Sequence, residues 1–353
     1  MDRIRVGIVG LGHNGMEHVR GHLALGKSEV VALCDRNEDR LRAAGAEFGV
    51  TALYTDGTFY AHPGMGAVSI HTGDNDHMQP FLNAVAAGKH VLIEKPLANT
   101  EEDVIAMVAA ADAADPRLKF QVGYILRFHP VFEAVHRASV DGSLGDIYYM
   151  EGDYIHNLLY QAAATDPITG RNWYLEEELP VVGGGSHPLD LLRWFSGKQI
   201  VRTWCYATHA AYPEMRNDDC QVALFGFEDG SIAKVASLYA PRCAMAPFYN
   251  VRLYGTNGTV DRDQIAISKS PEEVHPEFAR VDADPLTAHN YRDEIDDWLD
   301  AIAHDRPTRT GLHDGANSSI AALCAVRAAR EGREVVVPVF RGPRPSQARK
   351  PER

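Results

Sequence analysis

From residue 3 to about 122, short apolar runs alternate with amphipathic stretches. The runs at 4–9, 29–34, 67–71, 90–93 and 119–122 lack the polar alternation of half-exposed strands, so they read as strands buried on both faces of a parallel sheet. Residues 76–87 and 101–114 between them have helical periodicity. The second of these opens with Thr100 and has Asp103 three positions on, close to a capping box. Strands and helices alternating in this way predict a doubly wound α/β unit with right-handed crossovers.

The pattern changes after Gly123. A helix is expected over about 130–140, then strands at 146–155, 200–209, 219–227, 231–239 and 248–254. Phe227-Glu228-Asp229-Gly230-Ser231 reads as a hairpin turn, with Asp-Gly at its centre. Successive strands without intervening helices imply a largely antiparallel open sheet. Two late helices, 289–304 and 313–331, and a strand at Glu334-Val335-Val336-Val337 complete an α+β unit. The expected domains are therefore 1–122 and 123–340, with a basic, frayed tail at 341–353. No internal repeat is visible.

Composition narrows the function. At 353 residues the chain suits two domains, and 45% hydrophobic with 24% charged residues is ordinary for a globular protein. A net charge of −13 argues against a nucleic-acid partner, which needs a basic face. No apolar stretch approaches membrane-spanning length, and Met-Asp-Arg leads directly into a strand-like run without an export leader. Cysteines 34, 205, 220, 243 and 324 include no C-x-x-C pair, suggesting neither zinc nor a disulfide framework and fitting a cytoplasmic protein. No H-x-x-x-H or H-E-x-x-H spacing lies near the candidate site, so no metal is expected.

Gly10-Leu11-Gly12-His13-Asn14-Gly15 matches G-x-G-x-x-G, follows a strand and opens a helix. Its glycines allow a tight turn, close approach to a pyrophosphate and close helix–strand packing, while the N-terminus of the helix favours an anion. Asp35 lies twenty residues after Gly15 at the end of the second strand, where an acid binds ribose hydroxyls and repels a 2′-phosphate. NAD is thus expected over NADP, although Arg36 could pair with a phosphate.

Glu94-Lys95-Pro96 ends the run His90-Val91-Leu92-Ile93. Ligands of open α/β sheets bind at the carboxyl ends of strands, and proline restrains the residue before it, so Lys95 can face both cofactor and substrate. The second unusual stretch is Gly183-Gly184-Gly185-Ser186-His187-Pro188-Leu189-Asp190-Leu191-Leu192-Arg193-Trp194. Pro188 fits a first helical position, which would make His187 the cap, and Gly197 fits the helix end. A histidine there sees a positive potential that favours the neutral, proton-accepting ring.

With these motifs in place, the chain resembles the Gfo/Idh/MocA family of oxidoreductases over nearly its whole length. The resemblance rests on the fingerprint with Asp35, on Ile70-His71-Thr72-Gly73-Asp74-Asn75-Asp76-His77, on Ala87 to Pro96, on Gly183 to Trp194 and on Tyr254-Gly255-Thr256-Asn257-Gly258-Thr259. It implies a Rossmann domain, a second domain whose open sheet serves substrate and a homodimer or homotetramer interface, and hydride transfer between a sugar or cyclitol carbon and nicotinamide. It places the reacting centre at Lys95 and His187, and cofactor contacts at Gly10, Gly12, His13, Asn14, Gly15, Asp35, Arg36, Thr72, His77, Glu94 and Lys95.

Two positions depart from the family pattern. The aspartate that often stands four residues before the histidine is Gly183 here. Asp190 is a candidate to orient His187 or bind a substrate hydroxyl, and equally a structural acid of the first helical turn. The family's Thr-Pro-Asn loop reads Thr72-Gly73-Asp74, and His77 fits its pattern as a helix cap. His156, Arg171 and Trp173 are further candidates for the substrate pocket. The leading expectation is an NAD-dependent sugar or polyol dehydrogenase. A cofactor-retaining, redox-cycling glycosidase or epimerase and a non-catalytic dinucleotide sensor are the alternatives.

Overall fold

The computed structural model describes residues 3–163, 165, 170–241, 249–270, 272–273, 275–283 and 290–342. The N-terminal half runs β1 (Ile4–Val9), α1 (His13–Leu25), β2 (Ser28–Cys34), α2 (Glu38–Phe48), β3 (Leu53–Tyr54), β4 (Ala67–Ile70), α3 (Met78–Ala86), β5 (His90–Ile93), α4 (Glu101–Asp112) and β6 (Phe120–Val122). Its six strands are all parallel, in the order β3-β2-β1-β4-β5-β6. The chain therefore reverses direction of winding between β1 and β4, the crevice where such sheets bind ligands. The apolar runs were read correctly, and the Thr100 hydroxyl caps α4 through the Asp103 N–H at 3.1 Å. The two elements not anticipated are β3, a pair of half-buried residues, and α2, which buries only Leu41, Ala44 and Gly45.

The second half contains α5 (Pro130–Val140), β7 (Ile147–Ile155), α6 (Leu159–Ala163), α7 (Trp173–Glu176), α8 (Ser186–Ser196), β8 (Ile200–Thr208), β9 (Cys220–Phe227), β10 (Ile232–Leu238), β11 (Tyr249–Gly255), β12 (Gly258–Asp261), β13 (Gln264–Ile267) and β14 (Ala279–Arg280). It closes with α9 (Tyr291–Ala303), α10 (Leu312–Glu331) and β15 (Val335–Val336). Nine strands form one sheet, ordered β14-β13-β12-β11-β7-β10-β9-β8-β15. Every pair is antiparallel except β7 with β10. The expected hairpin joins β9 to β10, with Gly230 at φ +91° and Asp229 accepting from the Ser231 N–H at 3.0 Å. Strands β12 to β14 were not anticipated. Residues 248 and 289, expected at the starts of a strand and a helix, Cys243, and 343–353 of the expected tail lie outside the described residues.

One expectation about α8 is corrected. The helix begins at Ser186 with Gly185 already helical (φ −65°, ψ −20°), so His187 and Pro188 are its second and third residues. The tight turn before it, with the Gly183 N–H on Leu179 O and the Gly185 N–H on Pro180 O, brings the chain into helical geometry before the proline. Proline is tolerated there because first-turn N–H groups have no partner inside the helix. Helix α9 returns to the first half: Ile295, Trp298 and Leu299 pack in one core with Val6, Ile8 and Val19.

Candidate active site

The nucleotide crevice follows from three glycines. Gly10 leaves β1 at φ +82°, and a Cβ there would sit 2.5 Å from His71 O and 2.7 Å from Thr72 N, the chain leaving β4. A Cβ on Gly15 would lie 1.9 Å from Gly10 O, so helix and strand meet there at backbone distance. Gly12 faces open space and is the N-cap of α1 without a side-chain capping bond. The crevice above them encloses about 460 Å³ and is lined by Gly10, Gly12, Asp35, Arg36, Thr72 and Asp76, among others. Asp35 braces the loop: Oδ2 accepts the Leu11 N–H and Oδ1 the Asn37 N–H, both at 2.8 Å, with Arg40 Nη1 3.5 Å from Oδ2. Arg36 is exposed and reaches across to Asp76. Open backbone N–H groups at a helix start, a glycine with room above it and a carboxylate at the strand end fit a dinucleotide.

Glu94 lies beneath this loop, deeper than its expected cofactor contact suggested. Its Oε1 is 3.6 Å from both His18 Nε2 and His71 Nδ1, and His18 Nε2 is 3.9 Å from Glu294. Burial alone would raise the Glu94 carboxyl, but the two imidazoles hold it well below the usual range. Burial and the neighbouring His18 push His71 down to about 3, and its Nε2 pairs with Ser69 Oγ at 2.7 Å. Glu294 is raised well above the usual range by burial and then by Glu94. His18, His71 and Glu94 also bring ligand-type atoms within 4.8 Å of one another, although no local sequence spacing links them.

The second cavity, about 230 Å³, is lined by residues of both halves of the chain. Lys95 enters it from the end of β5, and its ammonium donates to Gly183 O at 3.1 Å. His187, 5% exposed, enters from the first turn of α8, its ring edge-on to Tyr124 and Tyr249 at centroid distances of 6.3 and 5.4 Å. Tyr154 and Tyr249, opposite one another on β7 and β11, form part of the wall, and His13 and Asn14 of the glycine loop line the same space. Lys95, His187, His13, Asn14 and Glu94 are thus brought together, as is Trp173.

Other candidates lie elsewhere. His77 begins α3, but its side chain does not cap: Nδ1 lies 2.8 Å from Pro96 O and Nε2 3.1 Å from Thr72 O, tying the two cofactor-side loops together. The Thr72 hydroxyl donates to Asp76 O, closing its own turn. Asp190 is buried away from the cavity; it accepts from Arg127 Nε and Nη2 at 2.7 and 2.6 Å and from Ser318 Oγ at 2.7 Å. Arg171 is on the surface, paired with Glu176 and Glu177, and His156 packs behind the wall against Tyr154 and Tyr239. Glu178 was missed. It lines the cavity at 3% exposure, and its carboxylate accepts from the Tyr239 hydroxyl. Burial raises it to about 8 despite that bond and the Lys95 charge. As the last of three consecutive glutamates it reads as part of a solvated acidic run.

Comparison with known proteins agrees with this geometry. Residues 4–124 match a family described as an oxidoreductase family, NAD-binding Rossmann fold, and residues 137–339 its C-terminal alpha/beta domain. Inositol 2-dehydrogenase 1 of Saccharopolyspora erythraea is 30% identical over 351 residues, 95% of this chain and 96% of that one. D-apiose dehydrogenase of Paraburkholderia graminis is 30% identical over 73% of this chain and 67% of its own. Among solved structures, levoglucosan dehydrogenase in complex with NADH superposes with a TM-score of 0.84 at 20% identity, over 96% of this chain and all of that one. Scyllo-inositol dehydrogenase from Lactobacillus casei with NAD(H) and scyllo-inositol gives 0.75 at 23% identity, over 95% and 99%. With both halves matched, the chain belongs to the Gfo/Idh/MocA oxidoreductase family.

Proposed function

We propose that the protein is an NAD-dependent dehydrogenase that oxidises a secondary alcohol of a sugar, sugar derivative or cyclitol. The observation that carries this is the convergence of Lys95 and His187 on one cavity that also opens onto His13 and Asn14 of the glycine loop. Asp35, with both oxygens directed along the loop edge, favours a free ribose 2′-hydroxyl over a phosphate. NAD bound in the crevice supplies the hydride acceptor.

The residues of the chain do the rest. Lys95, fixed by Gly183 O, donates to the substrate oxygen and stabilises the alkoxide as charge develops. His187, in the first turn of α8 where the helix field disfavours imidazolium, accepts the hydroxyl proton. Tyr154, Tyr249 and Trp173 offer flat apolar surfaces to the C–H faces of a ring and exclude water.

The sheet face opposite α8 carries Tyr206, Leu224 and Ile232 exposed beside Lys234, Glu151 and Arg252, a mixed surface suited to a second copy of this chain. No helix among the described residues is long and apolar enough to cross a membrane. The direct test mixes the purified protein with NAD and a panel of cyclitols and aldoses and follows NADH absorbance. Sustained turnover on one group supports the reading. Folded, NAD-binding protein that stays silent on the whole panel refutes it.

A further inference from the structure

We propose that Glu178 is a catalytic residue of this cavity, its carboxylate binding a substrate hydroxyl beside Lys95 and His187. The inference rests on the dehydrogenase reading and adds to it the acid that the glycine–histidine motif lacks.

A Cβ built on Gly183 would lie 1.9 Å from Glu178 Oε1 and 2.7 Å from Oε2. A side chain at 183 would have to displace this carboxylate, which comes from five residues upstream and fills that space. The backbone there is not in the left-handed region, so room rather than conformation accounts for the glycine. The Gly183 carbonyl on the same residue holds the Lys95 ammonium at 3.1 Å, placing the carboxylate and the ammonium around one residue.

Anchoring the loop does not explain the side chain. The Asn217 side-chain amide donates to Glu178 O at 3.0 Å, and the Arg216 N–H donates to Leu175 O at 2.8 Å. The two preceding glutamates pair with Arg171, and Glu177 also accepts from the Asn75 side-chain amide. Of the three, Glu178 lines the cavity, where its carboxylate meets the Tyr239 hydroxyl, which itself accepts the Gly184 N–H at 3.0 Å. A buried carboxyl is costly to keep unless something uses it. The other carboxyl lining the cavity, Glu94, is engaged by His18 and His71. Glu178 is therefore the carboxyl positioned to accept a hydroxyl proton donor from a polyol. The charged and titratable groups around it are Lys95, Asp74, His187, Tyr154, Tyr174 and Tyr239.

The test compares Glu178→Gln, Glu178→Ala and the double variant Glu178→Ala/Gly183→Asp in the intact protein. Readouts are kcat/KM from about pH 6 to about pH 10, NAD binding by fluorescence and thermal melting. We expect Glu178→Gln to lose about 10²-fold in kcat/KM and to lose the wild-type rise of kcat/KM as Glu178 ionises, while NAD binding persists. The double variant, which returns a carboxyl to the same space from residue 183, should recover about tenfold over Glu178→Ala. Wild-type kcat/KM with an unchanged pH profile in Glu178→Gln overturns the proposal. So does a variant that only melts earlier and keeps that profile. If Glu178→Gln fails to fold, absence of rescue in a folded double variant overturns it. A wild-type protein silent on every substrate signals instead that the dehydrogenase reading itself has failed.

Discussion

Replacing Asp190 separates structure from catalysis on α8. Its carboxylate accepts three hydrogen bonds of 2.6–2.7 Å, two from Arg127 and one from Ser318, with both members of the ion pair 1% exposed. Asp190→Ala leaves the Arg127 Nε and Nη2 donors buried beside a void. Breaking a buried pair by removing one member costs about 3–5 kcal/mol. Arg127 keeps Asp314 on Nη1, which places the expected loss near the lower end, about 3 kcal/mol. At roughly 2–4 °C per kcal/mol for domains of this size, melting should fall by about 6–12 °C. Urea unfolding should show the same loss as a shifted midpoint with an unchanged slope. Since the side chain faces Arg127 rather than the cavity, kcat/KM per folded molecule should change by less than about tenfold, well short of the loss from removing a catalytic group. A variant that melts like the wild type but loses 10²-fold or more in kcat/KM would show that Asp190 meets substrate, and the reasoning would fail.

Lys95→Met and His187→Asn should each lower kcat by about 10²–10⁴-fold, read by steady-state NADH formation, with NAD affinity measured separately and little changed. Asp35→Ser should weaken NAD binding by about tenfold, some 1.4 kcal/mol, and narrow the discrimination against NADP, read by titrating both cofactors. Glu178 also predicts the pH dependence of stability. Its folded value of about 8 lies above the ordinary 4.5, so its contribution is complete below about 4.5 and is lost as pH rises through about 8. The melting temperature of the wild type relative to Glu178→Gln should therefore fall across that window, and a flat difference would contradict the burial argument.

The first half of the chain was legible because its signals are local. A parallel strand buried on both faces must be apolar throughout, and Val6, Ile8, Val68, Ile70, Val91, Leu92 and Ile93 are all below a few per cent exposed. The fingerprint and Glu94-Lys95-Pro96 are contiguous, and the loops they form leave the carboxyl ends of β1 and β5. Less was visible where burial is slight or partners are distant. Helix α2 hides because three small or apolar contacts suffice to seat it, and β12 to β14 are short strands at one end of their sheet. The role of Asp190 depends on Arg127 and Ser318, 63 and 128 residues away, contacts that no periodicity encodes. Arg171 and Trp173 look alike as pocket candidates, yet two glutamates hold the first at the surface while the second lines the cavity.

The three glycines before His187 carry the same lesson further. In the sequence they suggest a tight path for the backbone, and none of them has a positive φ. What they share is lack of room. A Cβ at 183 would strike the Glu178 carboxylate, at 184 the Tyr154 ring at 2.2 Å, and at 185 the Ser237 hydroxyl at 1.9 Å. Each glycine lets a different element close in: the loop after α7, strand β7 and strand β10. The first turn of α8, and with it His187, can then settle against the sheet, where Gly152 on β7 in turn admits Pro188 and Leu192. Glycine spacing in this segment thus records the side chains that surround it. A Cβ at 184 would displace Tyr154 from the cavity wall, and one at 183 would displace the carboxylate beside Lys95. The motif is thus the negative imprint of the site.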